Sequence, residues 1–248
     1  MRKITQYFLV LAFTFSTVGG CAIYNQTQPV SPLFLDGATL DSTVDRVPFQ
    51  HAWSSSNSGG GISSIYVKPV RVDLLSPDSW TESTSLGITS AEDYNKAAQS
   101  LAVYFDERLR EELRHVYERN KRLRIVDAIS QDSVILEIAL TEIVLSRPVS
   151  HAVGMAAPVP GLGMALSAMH EPHVAFAARF MAPDGATLFG TVADRRFPPI
   201  RVLDLNKLTL TSSIREIISQ WARELAEAIE FERLAIVERS SRFSLLPW

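Results

Sequence analysis

Residues 133–146 read SVILEIALTEIVLS, Ser133 to Ser146. The run is aliphatic at most positions, rich in branched side chains and free of glycine and proline. That composition suits a pleated strand covered on both faces. It is expected to lie in the middle of a sheet, and the rest of the fold is read outward from it. Glu142 falls in phase with Val134, Leu136, Ile138 and Leu140. A carboxylate there is either a buried functional group or, more ordinarily, a strand end that has reached solvent.

Upstream, "LRIVD" (123–127) is a short strand, and before it stands a strong helix signal. Ser90 with Asp93 three residues later forms a capping-box-like start. Tyr94, Ala98, Leu101, Phe105, Leu109, Leu113 and Val116 then recur at spacings of three and four, one apolar stripe opposite a charged face that includes "DERLREELR". Earlier still, "SSIYVKPVRVDLL" (63–75) alternates as a half-buried strand with Tyr66, Val70, Val72 and Leu74 on one face. Pro69 argues for an edge position or a bulge. Downstream, "HVAFAARFMAPDGATLFGTVADRR" (173–196) is a hairpin, with Pro183, Asp184 and Gly185 supplying the turn. A last helix starts near Ser213, with Glu216 three residues on, and buries Ile214, Ile218, Trp221, Leu225 and Ile229. The order predicts a single α+β two-layer domain: a mixed or antiparallel sheet with two main amphipathic helices on one face.

The chain has 248 residues, a formal charge of -3, 46% apolar and 21% charged residues, and one cysteine. That material builds one sizeable core. Its cations are dispersed and its balance is acidic, which excludes a nucleic-acid-binding stripe. Arg2 and Lys3 precede an uncharged run from Tyr7 to Val18, too short for the roughly 20 apolar residues of a membrane span but right for an export signal. The small pair Gly19-Gly20 and then Cys21 close it. "VGGC" (18–21) resembles the lipobox of bacterial lipoproteins. The resemblance implies cleavage after Gly20, lipid attachment at Cys21 and palmitate among its acyl chains; several chains on one residue make a permanent anchor. Under that family's sorting rule Ala22, where Asp would retain the protein at the inner membrane, implies the periplasmic face of the outer membrane.

The expected organisation is a signal peptide at 1–20, a lipidated N-terminus and flexible tether at 21–62, the domain at 63–240 and a C-terminal tail at 241–248. "NQTQPVSP" and "SSSNSGGG" give the tether its polar, turn-rich character, with a typical span of roughly 35 Å for about 40 residues. Phe34, Leu35, Phe49 and Trp53 interrupt it and are placed to dock locally on the domain.

Catalytic signatures are absent from the sequence: it holds no G-x-S-x-G elbow, P-loop, dinucleotide fingerprint or H-E-x-x-H. Asp194, Arg195, Arg196 and Glu142 are the residues an unrecognised enzyme would use, since an acid beside two arginines suits a phosphate or carboxylate; a surface ion pair is the plainer reading. His151, His170 and His173 with Met155, Met164 and Met169 offer soft-metal donors, at spacings that match no standard site. His170 and His173 are the weak metal candidates, and no cofactor is expected. From Ala152 to Met169, eighteen residues carry no charge, and Pro158 and Pro160 break any long helix there. Exposed, Met155, Pro158, Pro160, Leu162, Met164 and Met169 form a partner surface; covered, they complete the core.

"SSIYVKPVRV", "YFDERLREEL", "RLRIVDAISQDSVILEIALTEI", "APVPGLGMALS", "VADRR" and "WARELAEAIE" together resemble the bacterial lipoproteins of the domain of unknown function 3313 family over about residues 60–232, with a departure at "FPPI" after Arg196. That family brings no established activity. The expectation is therefore a non-enzymatic envelope lipoprotein that binds another envelope component, with a small-molecule or metal carrier as the alternative and an enzyme behind both.

Overall fold

The computed structural model describes residues 47–54, 61–86, 88–121, 123–145, 172–198 and 211–230. In chain order they form β1 (His51–Ser54), β2 (Ser64–Val67), α1 (Pro77–Ser85), α2 (Ala91–Asn120), β3 (Arg124–Val126), β4 (Ser133–Val144), β5 (His173–Met181), β6 (Leu188–Arg196) and α3 (Ser212–Glu230). The six strands make one mixed sheet in the order β1-β6-β5-β4-β2-β3. β2 runs parallel to both β3 and β4, and the other neighbours are antiparallel. This is the expected α+β domain, with α2 and α3 layered on one sheet face.

The central strand behaves as its composition dictates. All but one of the twelve residues of β4 are buried. Leu136, Ile138 and Leu140 face the helices and join the main core with Trp221, Phe105 and Phe176. Phe176 sits 4.6 Å from the Trp221 ring and 5.8 Å edge-on from Phe105. Rings of this size remove roughly 150–250 Å² each from water, at about 25 cal/mol per Å², so this trio is a large source of stability in the domain. The α2 stripe is buried at every expected position. Ser90 caps the helix by accepting from the Asp93 amide at 3.1 Å, and Lys121 closes it in the left-handed conformation, φ 60°. On α3, Ile214, Ile218, Trp221 and Leu225 are buried and Ile229 packs at the margin.

Three expectations change. The phase of β2 is reversed: Ile65 and Val67 enter the core while Tyr66 is half-buried. Nor is that strand at an edge, since it pairs on both sides. Pro69 instead ends it, and the following chain continues alongside β4 by separate bonds: Lys68 N to Leu136 O, Arg71 N to Ile138 O and Leu140 N to Arg71 O, each 2.9 Å. Beyond these, the hydroxyls of Ser79 and Ser83 on α1 accept from the amides of Ile143 and Leu145 at 3.3 and 3.0 Å. A helix thus satisfies strand amides that no strand reaches. Finally, β1 lies inside the segment read as tether. Phe49 docks there, edge-on to Phe176 at 5.8 Å, and Ala52 is buried. The expected signal peptide, most of the tether and the C-terminal tail lie outside the described residues.

Candidate functional site

Alternation along a strand sends adjacent side chains to opposite faces. It therefore divides the acid and arginines near the end of β6 into two separate groups. Asp194 and Arg196 point toward the helices, and Arg195 points to the other side.

On the helical side Asp194 is fully buried and Arg196 nearly so. Arg196 Nε donates to Asp194 Oδ2 at 2.7 Å. Its Nη1 and Nη2 donate to Glu224 of α3 at 3.2 and 2.6 Å, and Nη2 also to the Pro48 carbonyl at 3.1 Å. Asp194 accepts further from the Trp221 indole at 2.9 Å and the Gln50 amide at 3.3 Å. The guanidinium lies 5.7 Å from the Trp221 ring centre, within cation–π range. Every nitrogen of this guanidinium is engaged, so the group ties β6, α3 and the segment before β1 into one knot.

On the opposite side Arg195 Nε donates to Glu142 at 2.7 Å, and its Nη2 completes the bidentate pair. His173 Nε2 stands 3.4 Å from the same carboxylate and its ring lies against Phe197 at 5.3 Å. Glu142 reaches this face because the β4–β5 register shifts between Leu140 and Glu142. The bulge at Thr141 returns Ile143 and Leu145 to the core and turns the carboxylate away from it. Glu142 is neither in the apolar phase that a regular strand predicts nor at a solvated end. Burial pushes its pKa up, but hydrogen bonds from His173 and Arg195 outweigh that and hold it below the usual range.

A second pairing centre on that face surrounds Glu137, which takes Arg179 Nε at 2.9 Å, Arg71 Nη1 at 2.9 Å and Lys68 Nζ at 3.5 Å. Here too burial raises the pKa, and the bonds from Arg179 and Arg71 bring it down. Arg71 holds Asp73 as well, at 2.6 Å. Between the two charged centres runs a row of fully buried alanines, Ala139, Ala177 and Ala193, with Leu74 against it. His51, paired with Ala193, has its pKa lowered by burial, with Asp194 opposing.

The residues proposed for an enzyme thus do not converge: Asp194 and Arg196 are separated from Arg195 and Glu142 by the sheet itself, and each arginine is taken up by a carboxylate of the protein. His173, one of the metal candidates, is committed to Glu142. Among the described residues no group of three or more His, Cys, Asp or Glu side chains is placed to hold a metal ion, and no helix is long and apolar enough to cross a membrane. Gly20, Cys21, Met155, Pro158, Pro160, Leu162, Met164, Met169 and His170 lie outside the described residues. Glu224 was missed from the sequence, although it stands three residues after Trp221 on the buried stripe of α3, where an acid needs a partner. Glu137 and Arg179, directly opposed across β4 and β5, carried no comparable signal.

No protein-family model matches the chain, and no curated protein matches it. Solved structures similar to it include the PelC dodecamer from Paraburkholderia phytofirmans, at 14% identity and a TM-score of 0.32, over 70% of this chain and 96% of that one. A minor lipoprotein from Acinetobacter baumannii is similar at 11% identity and a TM-score of 0.32, over 70% of this chain and 96% of that one.

Proposed function

We propose that this chain is a lipid-anchored envelope protein, held by Cys21 at the periplasmic face of the outer membrane, whose α+β domain works without catalysis by binding another envelope component. The observation that carries the reading is the order of residues 2 to 22: two cations, an uncharged apolar run, Gly19-Gly20, Cys21 and then Ala22. The engagement of Arg195, Arg196, Glu142 and Asp194 with one another and with Glu224 supports a domain whose buried charge is spent on architecture.

Radiolabelled palmitate supplied to cells making the full chain tests the anchor. Label is expected in the intact protein, lost in Cys21→Ser; an unprocessed amino terminus or a bare thiol at position 21 in the native protein would end the reading. Binding is tested by cross-linking in intact envelopes with the full chain and with one lacking residues 152–169. A specific cross-link lost on deletion, with the domain still folded, supports a partner surface at Met155, Pro158, Pro160, Leu162, Met164 and Met169. Identical cross-links from both chains remove it.

A further inference from the structure

The face of the sheet turned away from α2 and α3 holds a cation whose donors are divided between interior and surface. Arg71 follows Pro69, and its backbone is pinned to β4 twice, its amide to Ile138 O and its carbonyl to the Leu140 amide, each at 2.9 Å. The guanidinium is fixed in turn. Nη1 donates at 2.9 Å to Glu137, whose side chain is only 5% exposed. The remaining edge, Nε and Nη2, is the fork that fits a carboxylate or a phosphate through two parallel bonds. The Arg71 side chain is 36% exposed, and Asp73 takes its fork bidentately at 2.9 and 2.6 Å.

Asp73 stands two residues further along the chain and is itself 62% exposed. An ion pair so open to water contributes little, and an anion from outside can take the carboxylate's place. Two further observations favour an anion there. The hydrogen bonds from Arg71 hold the Asp73 carboxyl below the usual range, so the fork stabilises negative charge where it stands. Lys68, 38% exposed, lies 3.5 Å from Glu137 Oε2, and Arg179 reaches the same oxygen at 2.8 Å; with Arg71 on Oε1, three cations share one buried acid. A carboxylate spends both oxygens on the fork, as Asp73 does. A phosphate keeps a third oxygen for the Lys68 ammonium and carries nearly a second charge at neutral pH. We propose that Arg71 and Lys68 form a binding site for inorganic phosphate or a phosphate monoester, with Asp73 occupying the fork until phosphate displaces it. The site lies within residues 68–73 and Glu137, so it stands or falls apart from the anchor at Cys21.

The test is calorimetric titration of inorganic phosphate into the mature-length chain carrying Cys21→Ser, at about 10 mM salt, where exposed charges are little screened. Asp73→Asn opens the fork and is expected to tighten phosphate binding about fivefold. Adding Lys68→Gln to it is expected to return the affinity to the starting value or below. Glu107→Gln, which removes the same charge from an exposed position on α2, is expected to change nothing. No tightening by Asp73→Asn, or equal tightening by Glu107→Gln, would overturn the proposal. A second reading needs no substitution at the site. The Arg71 Nε–H signal in the nitrogen-15 NMR spectrum is expected to move as phosphate is added, and a signal that stays put throughout the titration overturns the proposal equally. Flotation with phosphatidylcholine vesicles, with and without phosphatidic acid, separates the sources of the phosphate. Flotation only with phosphatidic acid, lost in Lys68→Gln, assigns a lipid headgroup; a response to inorganic phosphate without flotation assigns the soluble anion.

Discussion

Arg196 is a single residue on which the stability of the domain depends heavily. Its charge is buried between Asp194 and Glu224, and a buried pair broken on one side leaves the other charge without compensation, at about 3–5 kcal/mol. Arg196→Leu is therefore expected to lower the unfolding free energy by that amount, read from urea titration. Replacing Val103, an exposed large apolar side chain, by Ala should leave it nearly unchanged. Glu137 and Glu142 contribute to the response to acid. Their folded pKa values lie below the ordinary 4.5, so the unfolded chain takes up protons first as pH falls. The stability they contribute is fully present above about pH 4.5 and is lost as pH drops through the folded values. Urea midpoints should decline gently as pH falls through 6.5, where the unfolded His51 takes up a proton that the buried imidazole resists, and more steeply below 4.5; Glu142→Gln should start lower at pH 7 and decline less steeply below 4.5. Equal slopes for the two proteins would count against the assignment.

At the scale of elements, the same rule explains what was legible in the sequence. The α2 stripe repeats from Tyr94 to Val116 within a helix of 30 residues, long enough for periodicity to average out local exceptions, and Ser90 announces its start. Ser90→Ala is expected to cost about 1 kcal/mol, read as a shifted urea midpoint. The hairpin was legible because its turn chemistry is local: Asp184 accepts from the Ala186 and Thr187 amides at 2.8 and 2.9 Å, and Gly185 takes φ 69°. β1 was not legible, because four residues, HAWS, carry no period and their partner lies some 140 positions away. The side chains of α1 average polar, and that helix exists to serve the amides of β4. The bulge at Thr141 has no signature of its own, and it is what sends Glu142 to the face of Arg195. Part of the charged site was readable in principle, since neighbours on a strand must point apart; their partners Glu224 and His173 belong to other elements and were not. Deleting Thr141 removes the extra residue and makes Glu142 the immediate neighbour of Leu140, so alternation keeps the carboxylate on the Arg195 face and Ile143 in the core. The expected outcome is a chain that still unfolds cooperatively by circular dichroism; loss of cooperative unfolding would count against a bulge at Thr141.

On the scale of the whole molecule, the domain begins before the point at which its regular strands become obvious. Residues 47–54 close the sheet edge beside β6, place Phe49 against Phe176 and complete the coordination of Asp194 and Arg196. A chain starting at residue 47 and one starting at residue 55 should therefore differ sharply. Losing one buried phenylalanine costs about 3–5 kcal/mol, and uncovering Asp194 and Arg196 adds to it, so the shorter chain is expected to be at least about 4 kcal/mol less stable in urea. Because the groove is otherwise intact, a synthetic peptide of residues 45–56 should recover part of that loss in a concentration-dependent way, as any ligand of the folded state does. The peptide should leave the longer chain, whose groove is filled, unchanged at micromolar concentration. If the two chains unfold within about 1 kcal/mol of each other, residues 47–54 are an ornament on the sheet and no part of its core.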